Sequence, residues 1–396
     1  MITATVGEVA KQIRGVSYKK TDAKKTPGNG MLPILRANNI TEDGLIFNDL
    51  VYVPTNKISP SQMLQQGDVL VAASSGSLDV VGKAANLKHS FEGGFGAFCK
   101  TLRPNPELVD PSYFAHFFYS QKYRRKVKTL AAGANINNLK NEHLDNLTIP
   151  LPPLEEQRRI AAILDKADAL RQKRKQTIAL LDSLTQSIFL EMFGDPFAQT
   201  HDANMPEAIL SDVTDRITYG FTQPMSHHDS GVPIITAKNV QFGYLDYENV
   251  HYANESEFAN LTDKSKPEAG DILVTKDGTI GRSAIFAREQ PICINQSVCL
   301  VKPNKKLIHP KYLLSYILCE SVQSRIKAMK KGNSIAHLQI TEFANFPIFI
   351  PKFAKQLSFA EEIDKKENMR AKFDNALISS EHLFNSLQHR AFSGEL

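Results

Sequence analysis

Several stretches of the chain bring together residue types that do chemistry elsewhere. Gly76 to Lys83 has the ingredients of a loop that cradles phosphates with backbone N–H groups and a lysine. A working loop of that kind needs four residues between its glycines and a Ser or Thr after the lysine to hold magnesium. Here the spacing is one residue too long, and Ala84 follows Lys83. Gly93-Gly94-Phe95-Gly96 lacks the spacing and the strand-to-helix setting of a dinucleotide site, so it reads as a turn. Leu151-Pro152-Pro153-Leu154 is near the Asn-Pro-Pro-aromatic motif of amino-methyltransferases, but has no Asn to accept from the target amine. His227-His228-Asp229 sets two adjacent histidines beside an acid, but adjacent side chains on an extended segment diverge, which favours a polar loop over a metal site. Metal-dependent nucleases need clustered carboxylates with a nearby lysine, and no Glu-x-Lys occurs. No Ser/His/Asp set has a recognisable elbow. Cys99, Cys293, Cys299 and Cys319 form no CxxC pair, which argues against a zinc ribbon or a disulfide framework. These residues argue for a protein without a catalytic centre, cofactor or metal of its own.

The charged residues suggest binding instead. The net charge is only +5 over 396 residues, but it is unevenly spread. Lys122, Arg124, Arg125, Lys126 and Lys128 crowd one short stretch, and Arg325, Lys327, Lys330 and Lys331 crowd another. Clustered basic residues in a chain that is not generally basic fit a nucleic-acid face better than a membrane surface, although any one cluster can be a solvated helix face. The N-terminus has no signal pattern and no apolar run is long enough to span a bilayer, so a cytoplasmic protein is expected.

The two basic stretches correspond because the chain is an internal repeat. Pro33-Ile34-Leu35-Arg36-Ala37-Asn38-Asn39-Ile40 matches Pro233-Ile234-Ile235-Thr236-Ala237-Lys238-Asn239-Val240. Gly67 to Val71 pairs with Gly270 to Val274, and the Asn-rich segment 133–139 with 332–338. Short apolar runs at 69–72, 97–102, 272–274 and 297–301, bounded by Gly, Asp, Asn or Pro, read as strands. Pro111 and Pro310 each open a helix. Each copy then closes with an apolar strand, 147–151 or 346–350, and leads through proline into a long helix.

In the first of these helices, Ile160, Ala167, Arg174, Leu181 and Ile188 fall at a, and Ile163, Leu170, Thr177, Leu184 and Glu191 at d, of successive heptads. That is a coiled-coil seam, and it needs a partner. The partner is the second helix, with Phe359, Ile363, Phe373, Leu377, Phe384, Leu387 and Ala391 at 3/4 spacing. The two helices are copies: Pro152 and Gln157 align with Pro351 and Gln356, while Leu181 to Leu184 align with Phe384 to Leu387 after one extra helical turn in the second. Arg174 at a seam position either packs its stem and snorkels its charge or fixes register as a buried polar residue does. The expected fold is mixed α/β (α+β): two tandem units with twisted, mostly antiparallel sheets, separated by two long helices that pair as an antiparallel coiled coil. The boundaries are 1–150 and 195–350 for the globular units, 151–194 and 351–396 for the helices.

The run from Ile149 to Ala161, the Phe193-Gly194-Asp195-Pro196 exit and the C-terminal Ala391-Phe392-Ser393-Gly394-Glu395-Leu396 resemble the DNA-specificity subunit of type I restriction-modification enzymes. The resemblance covers essentially the whole chain. The second copy departs from it, having Pro351-Lys352-Phe353-Ala354-Lys355-Gln356 without the Glu-Glu and Arg-Arg pairs. What the resemblance implies is a non-catalytic reader of double-stranded DNA. Each unit would be a target-recognition domain for half of a bipartite, asymmetric site, and the helices would hold the halves apart. They would also carry two methyltransferase subunits, which restriction/translocase subunits join; adenine methylation from S-adenosylmethionine would be the partners' chemistry. Side chains that read bases must reach base edges, Arg or Lys to guanine and Asn or Gln to adenine. Turns shared by the copies supply the candidates: Arg36, Asn38 and Asn39 against Lys238 and Asn239; Ser74, Ser75 and Ser77 against Lys276 and Thr279; Asn135 and Asn137 against Asn333; and Lys126 and Lys327 from the basic clusters. For each Asn, local turn capping competes with base contact. A self-contained DNA methyltransferase or nuclease with a coiled-coil dimerisation arm is the enzyme alternative. A two-headed protein-binding scaffold is the third reading.

Overall fold

The computed structural model describes residues 2–131, 137–198, 205–329 and 337–396, so the candidates Asn135 and Asn333 and the side chain of Asn137 lie outside the described residues. The chain forms two compact units: unit 1 is Met1–Gln176 with Phe373–Leu396, and unit 2 is Thr177–Lys372. Both divisions fall inside the long helices, Leu154–Phe193 and Phe353–Ser393.

Unit 1 is built on a four-stranded antiparallel sheet in the order Ala10–Arg14, Cys99–Pro104, Val69–Ala72, Ala84–Asn86. Leu102 stands opposite Val69, and Cys99 opposite Ala72. Val69–Ala72 is buried at every position. Its alternate side chains feed two cores: Val69 and Val71 pack with Leu102, Phe114 and Phe118, while Leu70 and Ala72 pack with Leu35, Phe95 and Cys99. A strand between two apolar layers has no polar face, which is why its sequence reads as a continuous run. A second sheet joins Gly94–Phe95, Met31–Leu35 and Val51–Pro54, the first pairing being parallel and the second antiparallel. Helix Pro111–Tyr119 starts where Asp110 accepts the N–H groups of Ser112 and Tyr113, and proline at the first position loses no intrahelical bond.

Unit 2 repeats the plan with the order Thr214–Tyr219, Val298–Pro303, Ile272–Thr275, Ser283–Ile285 in its larger sheet. Ile272 and Val274 face one core and Leu273 the other. Val232–Ile235 pairs in parallel with Cys293–Ile294, as the equivalent strands do in unit 1. The sheets are therefore mostly antiparallel, with one parallel pairing between strands in each unit among the described residues.

Within each unit the long helices run antiparallel. In unit 1 the Arg171 guanidinium lies 4.7 Å from the Phe384 ring centroid, and Arg174 donates to the Ala376 carbonyl and the Ser380 hydroxyl. Arg174 thus crosses to the partner helix, as a register-fixing residue does, rather than turning its charge to water. In unit 2 Phe189 and Phe193 meet Phe359 at 5.9 and 5.5 Å, and Arg370 Nε lies 2.6 Å from Asp182 Oδ1. The seam is not uniform. Ile160 and Leu181 are buried, whereas Leu170 and Leu184, expected at d, are 44% and 40% exposed. Ala161 and Leu164 are buried beside Ile160 in the core of unit 1. There the helix presents a broad stripe to its own globular unit as well as a seam to its partner, and a stripe follows the 3.6-residue turn rather than the heptad.

Candidate nucleic-acid interface

Four segments of unit 1 converge on one turn, Gly96-Ala97-Phe98-Cys99, closed by the Cys99 N–H donating to the Gly96 carbonyl at 2.8 Å. The Gly96 N–H donates to Leu35 O at 2.9 Å, which brings up the Arg36–Asn39 turn. Phe98 O accepts from Ala73 N–H at 2.8 Å and Ser74 N–H at 3.1 Å. Ser74 and Ser75 then pair with Asn138 and Asn137, and the Leu139 N–H donates to Ala73 O at 2.8 Å. The turn is seated on Gly15, where a Cβ would lie 2.1 Å from Gly96 O, so a larger residue there would displace it.

Unit 2 repeats this ladder. Asn295 N–H donates to Ile235 O at 3.3 Å, Lys276 N–H to Ser297 O at 2.9 Å and Leu338 N–H to Lys276 O at 2.8 Å. Asp277 bridges to His337, and Gly220 is the seat, its Cβ position only 1.8 Å from Ile294 O. Backbone alone makes both ladders, so the side chains on them can differ.

The side chains do differ. Arg36 Nη2 donates to Asp49 O at 2.7 Å and Asp49 Oδ2 at 2.9 Å, and Asn38 Nδ2 donates to the same carboxylate at 3.1 Å. One acid thereby orients both candidates, and Asn38 is exposed. Ser74 and Ser75 are half-buried, Ser77 is exposed, and the Ser75 hydroxyl accepts the Ser77 N–H at 3.2 Å. On the other unit Lys238 and Thr279 are exposed. Lys276 Nζ lies 2.9 Å from Asp277 Oδ1, which also meets His337 Nδ1 at 2.7 Å.

Two candidates are corrected. Asn39 is fully buried: its Oδ1 accepts the Arg36 N–H at 2.9 Å and its Nδ2 donates to Ile46 O and Asn48 O. Asn239 is 6% exposed and does the same between Thr236 and Asp246. Both amides are spent inside the turn, so they cap it and do not reach a ligand. Lys126 stands apart from the turns. It is exposed on helix Gln121–Ala131 and lines a cleft of 820 Å³ with Lys122, Arg125 and His389, which none of the turn candidates lines. Lys327 is exposed on helix Glu320–Ala328, while its neighbour Arg325 lies 3.9 Å over the Phe197 ring.

Sequence reasoning missed two features. Phe98, at the tip of the central turn, is 71% exposed; a lone aromatic has no periodicity to mark it. Gln157 and Gln356, noticed only as matching letters, are buckles between globular unit and helix. Gln157 Oε1 accepts the Asp110 N–H at 2.8 Å and its Nε2 donates to Leu108 O and Pro152 O. Gln356 makes the same bonds to His309, Leu307 and Pro351.

Ser112, His116 and Asp165 come together, but Ser112 Oγ donates to Asp165 at 2.8 Å and His116 Nε2 lies 2.8 Å from the same carboxylate. Hydroxyl and imidazole both address the acid and not each other, which is a structural clamp. Burial pushes the Cys99, Cys293 and Cys299 thiols up to about 12, far from nucleophilic. Among the described residues no group of three His, Cys, Asp or Glu side chains could hold a metal. No helix among the described residues is long and apolar enough to cross a membrane.

Comparison with known proteins follows the same division. The specificity subunit of the type I restriction enzyme EcoKI from Escherichia coli K12 is 29% identical over 422 residues, covering 100% of this chain and 89% of that protein. The StySPI specificity subunit from Salmonella potsdam is 45% identical over 184 residues, 46% of this chain and 39% of that one. The crystal structure of the type I restriction-modification S subunit from M. genitalium has the same fold, with a TM-score of 0.56 at 15% identity over 99% of this chain and 96% of that chain. A family model described as the type I restriction modification DNA specificity domain matches residues 3–180 and 226–378. With both repeats matched over most of their length, the chain belongs to the type I restriction-modification DNA specificity family.

Proposed function

We propose that each unit reads one half of a bipartite, asymmetric site in double-stranded DNA through its converging turns. The observation that carries this is the ladder built twice from backbone alone and furnished with unlike side chains. Equal scaffolds place the readers equivalently, and unlike readers select unlike sequences. Arg36, Asn38, Ser74, Ser75 and Ser77 serve unit 1, and Lys238, Lys276 and Thr279 serve unit 2. The segments carrying Asn135, Asn137 and Asn333 lead in sequence into residues 138–139 and 337–338, which join the same ladders. Lys126 and Lys327 take phosphates or partner surfaces rather than bases. The target-recognition domains are residues 1–150 and 195–350, and the helical stretches 151–194 and 351–396 are the spacer.

The chain itself contributes recognition and assembly. Two methyltransferase subunits bind it and methylate adenine from S-adenosylmethionine, and restriction/translocase subunits complete the complex. Support comes from the named relatives, which are specificity subunits, and from a clamp geometry that leaves the Ser112 hydroxyl without a base.

The test exchanges residues 1–150 for the equivalent segment of a relative and maps methylated sites in cells that carry the partner. Only one half of the split motif should change. A change in both halves, or binding to DNA that does not weaken as salt rises, defeats the reading, since each phosphate contact adds to the salt dependence.

A further inference from the structure

We propose that Phe98 is a stacking wedge, whose ring enters between neighbouring base pairs of the half-site read by unit 1. This rests on the DNA-reading role of the turns proposed above and adds how one of them acts. Three observations meet at this residue. The ring is 71% exposed, although it sits at the centre of the converging segments. Its backbone is fixed: Phe98 O holds the Ala73 and Ser74 N–H groups, Cys99 N–H closes the turn on Gly96 O, and Gly15 packs closely against Gly96. A large apolar side chain is thus held out on a rigid base, which is what insertion into a stack requires and what a loose loop would not supply.

The surroundings select the occupant. Arg36, Asn38, Ser74, Ser75 and Ser77, which share these turns, are polar, so the ring is not one tile of a broad apolar patch of the kind that docks another protein. Polar groups around one aromatic suit a nucleic acid, with hydrogen bonds to edges and phosphates beside a stacked ring. Phenylalanine is among the side chains that unstack a base step and bend the duplex when inserted.

The other unit supplies the contrast. Ser297 occupies the equivalent rung, its carbonyl accepting the Lys276 N–H as Phe98 O accepts that of Ala73. Its hydroxyl is engaged in the turn, accepting the Ala237 N–H at 2.9 Å and donating to Asn295 Oδ1 at 2.6 Å. Neither Ser297 nor Lys276, which make that rung, carries a ring. The wedge therefore belongs to one half-site alone, and the duplex is distorted asymmetrically.

The experiment uses the complete chain produced with its methyltransferase partner and a duplex carrying the site mapped by methylation. 2-Aminopurine is placed in turn at positions of the unit 1 half-site other than the methylated adenine. Binding should brighten the probe at one step. Phe98→Ser should abolish that brightening and weaken binding roughly ten- to hundredfold, with no change in thermal unfolding because the side chain is exposed. Phe98→Trp should restore both signals. A wild-type complex that binds its site without brightening any position overturns the wedge, as does a Phe98→Ser complex that keeps brightening and affinity. A wild-type complex that does not prefer the mapped duplex to a scrambled one removes the DNA-reading role itself, a separate result.

Discussion

The two units fasten their globular part to the long helices with the same buckle and different clamps. Gln157 and Gln356 are buried and make matching bonds to backbone groups. Beside the buckle, unit 1 uses Ser112 and His116 against Asp165, whereas unit 2 uses Lys311, whose Nζ lies 2.6 Å from both Asp364 and Glu367. Further out, the unit 1 loop at Asp43 is tied to the first long helix, Asp43 Oδ1 accepting from Lys175 at 2.7 Å and Gln172 at 3.2 Å. The corresponding unit 2 loop leaves Phe242 and Tyr244 50% and 60% exposed beside a cleft of 640 Å³ that Lys366 and Arg370 also line. The lesson is graded. Where a side chain must satisfy buried backbone the residue is the same in both copies, where it joins two half-buried surfaces only the sign of the contact is kept, and at the rim nothing is kept.

The largest effect tests the buckle. Gln157→Ala and Gln356→Ala each orphan buried backbone groups, and each should cost roughly 3 kcal/mol. Hydrogen exchange at the Asp110 amide should speed up in the first variant and at the His309 amide in the second, each unit responding alone. Faster exchange at the matching amide in one variant but not in the other breaks the equivalence.

Next comes the central rung. Ser297→Ala strands the half-buried Ala237 N–H and should destabilise unit 2 by about 1 kcal/mol, measured by urea unfolding. Phe98→Ser should leave unit 1 within about 0.5 kcal/mol of wild type. A comparable loss in both would mean the rung is structural in each unit.

The clamps should separate by pH. Burial works to raise the Asp165 pKa, but hydrogen bonds from His116 and Ser112 hold it below the ordinary carboxylate value. A depressed folded pKa stabilises above the unfolded pKa of about 3.9 and loses that contribution as pH falls through the folded one. Burial works to lower the Lys311 pKa, but Asp364 and Glu367 hold it above the ordinary lysine value. Its contribution is complete below about pH 10.4 and disappears as pH rises through the folded pKa. The Asp165 contribution to unit 1 should therefore be lost at the acid end and the Lys311 contribution to unit 2 at the alkaline end. The chain has no tryptophan, so single reporters at Phe47 and Phe197 would follow each unit, and Asp165→Asn and Lys311→Met should flatten the respective limbs.

The smallest effect is expected from Lys175→Ala. An ion pair this exposed is worth about 0.5 kcal/mol, so unfolding should barely move, while exchange in the loop around Asp43 should quicken and the loop around Gly243 stay unchanged. Protection unaltered in both loops would show that the tie does not order its loop.

Legibility in the sequence followed the same grading. The helices were readable because proline starts and apolar spacing are local, and the repeat because aligned turns need no partner to be seen. The strand Val69–Ala72 was readable as a strand, but its place between two cores was not, since an unbroken apolar run does not say what covers each face. Asn39 and Asn239 were chosen by type, and type cannot separate an amide that caps from one that reads; that depends on Ile46, Asn48 and Asp246. Gln157 satisfies groups far away in the chain, so its role appears only when the helix is laid against Asp110. Arg174 broke the heptad visibly, and only the facing Ser380 gave the reason.

Unit 2 is a single continuous segment, whereas the core of unit 1 includes Phe384, Ala391 and Phe392, with the Phe392 ring 5.2 Å from Tyr113 and 5.6 Å from Phe117. Ribosomal synthesis therefore delivers the two in reverse of their order in the gene. The segment made first must wait, with the Tyr113 and Phe117 rings uncovered, while the whole of unit 2 is made and folds; only when residues 384–392 emerge can the N-terminal part close. A nonsense codon falling after unit 2 but before Phe384 would consequently damage the unit that is translated first, and the waiting interval is when a chaperone has most to shield.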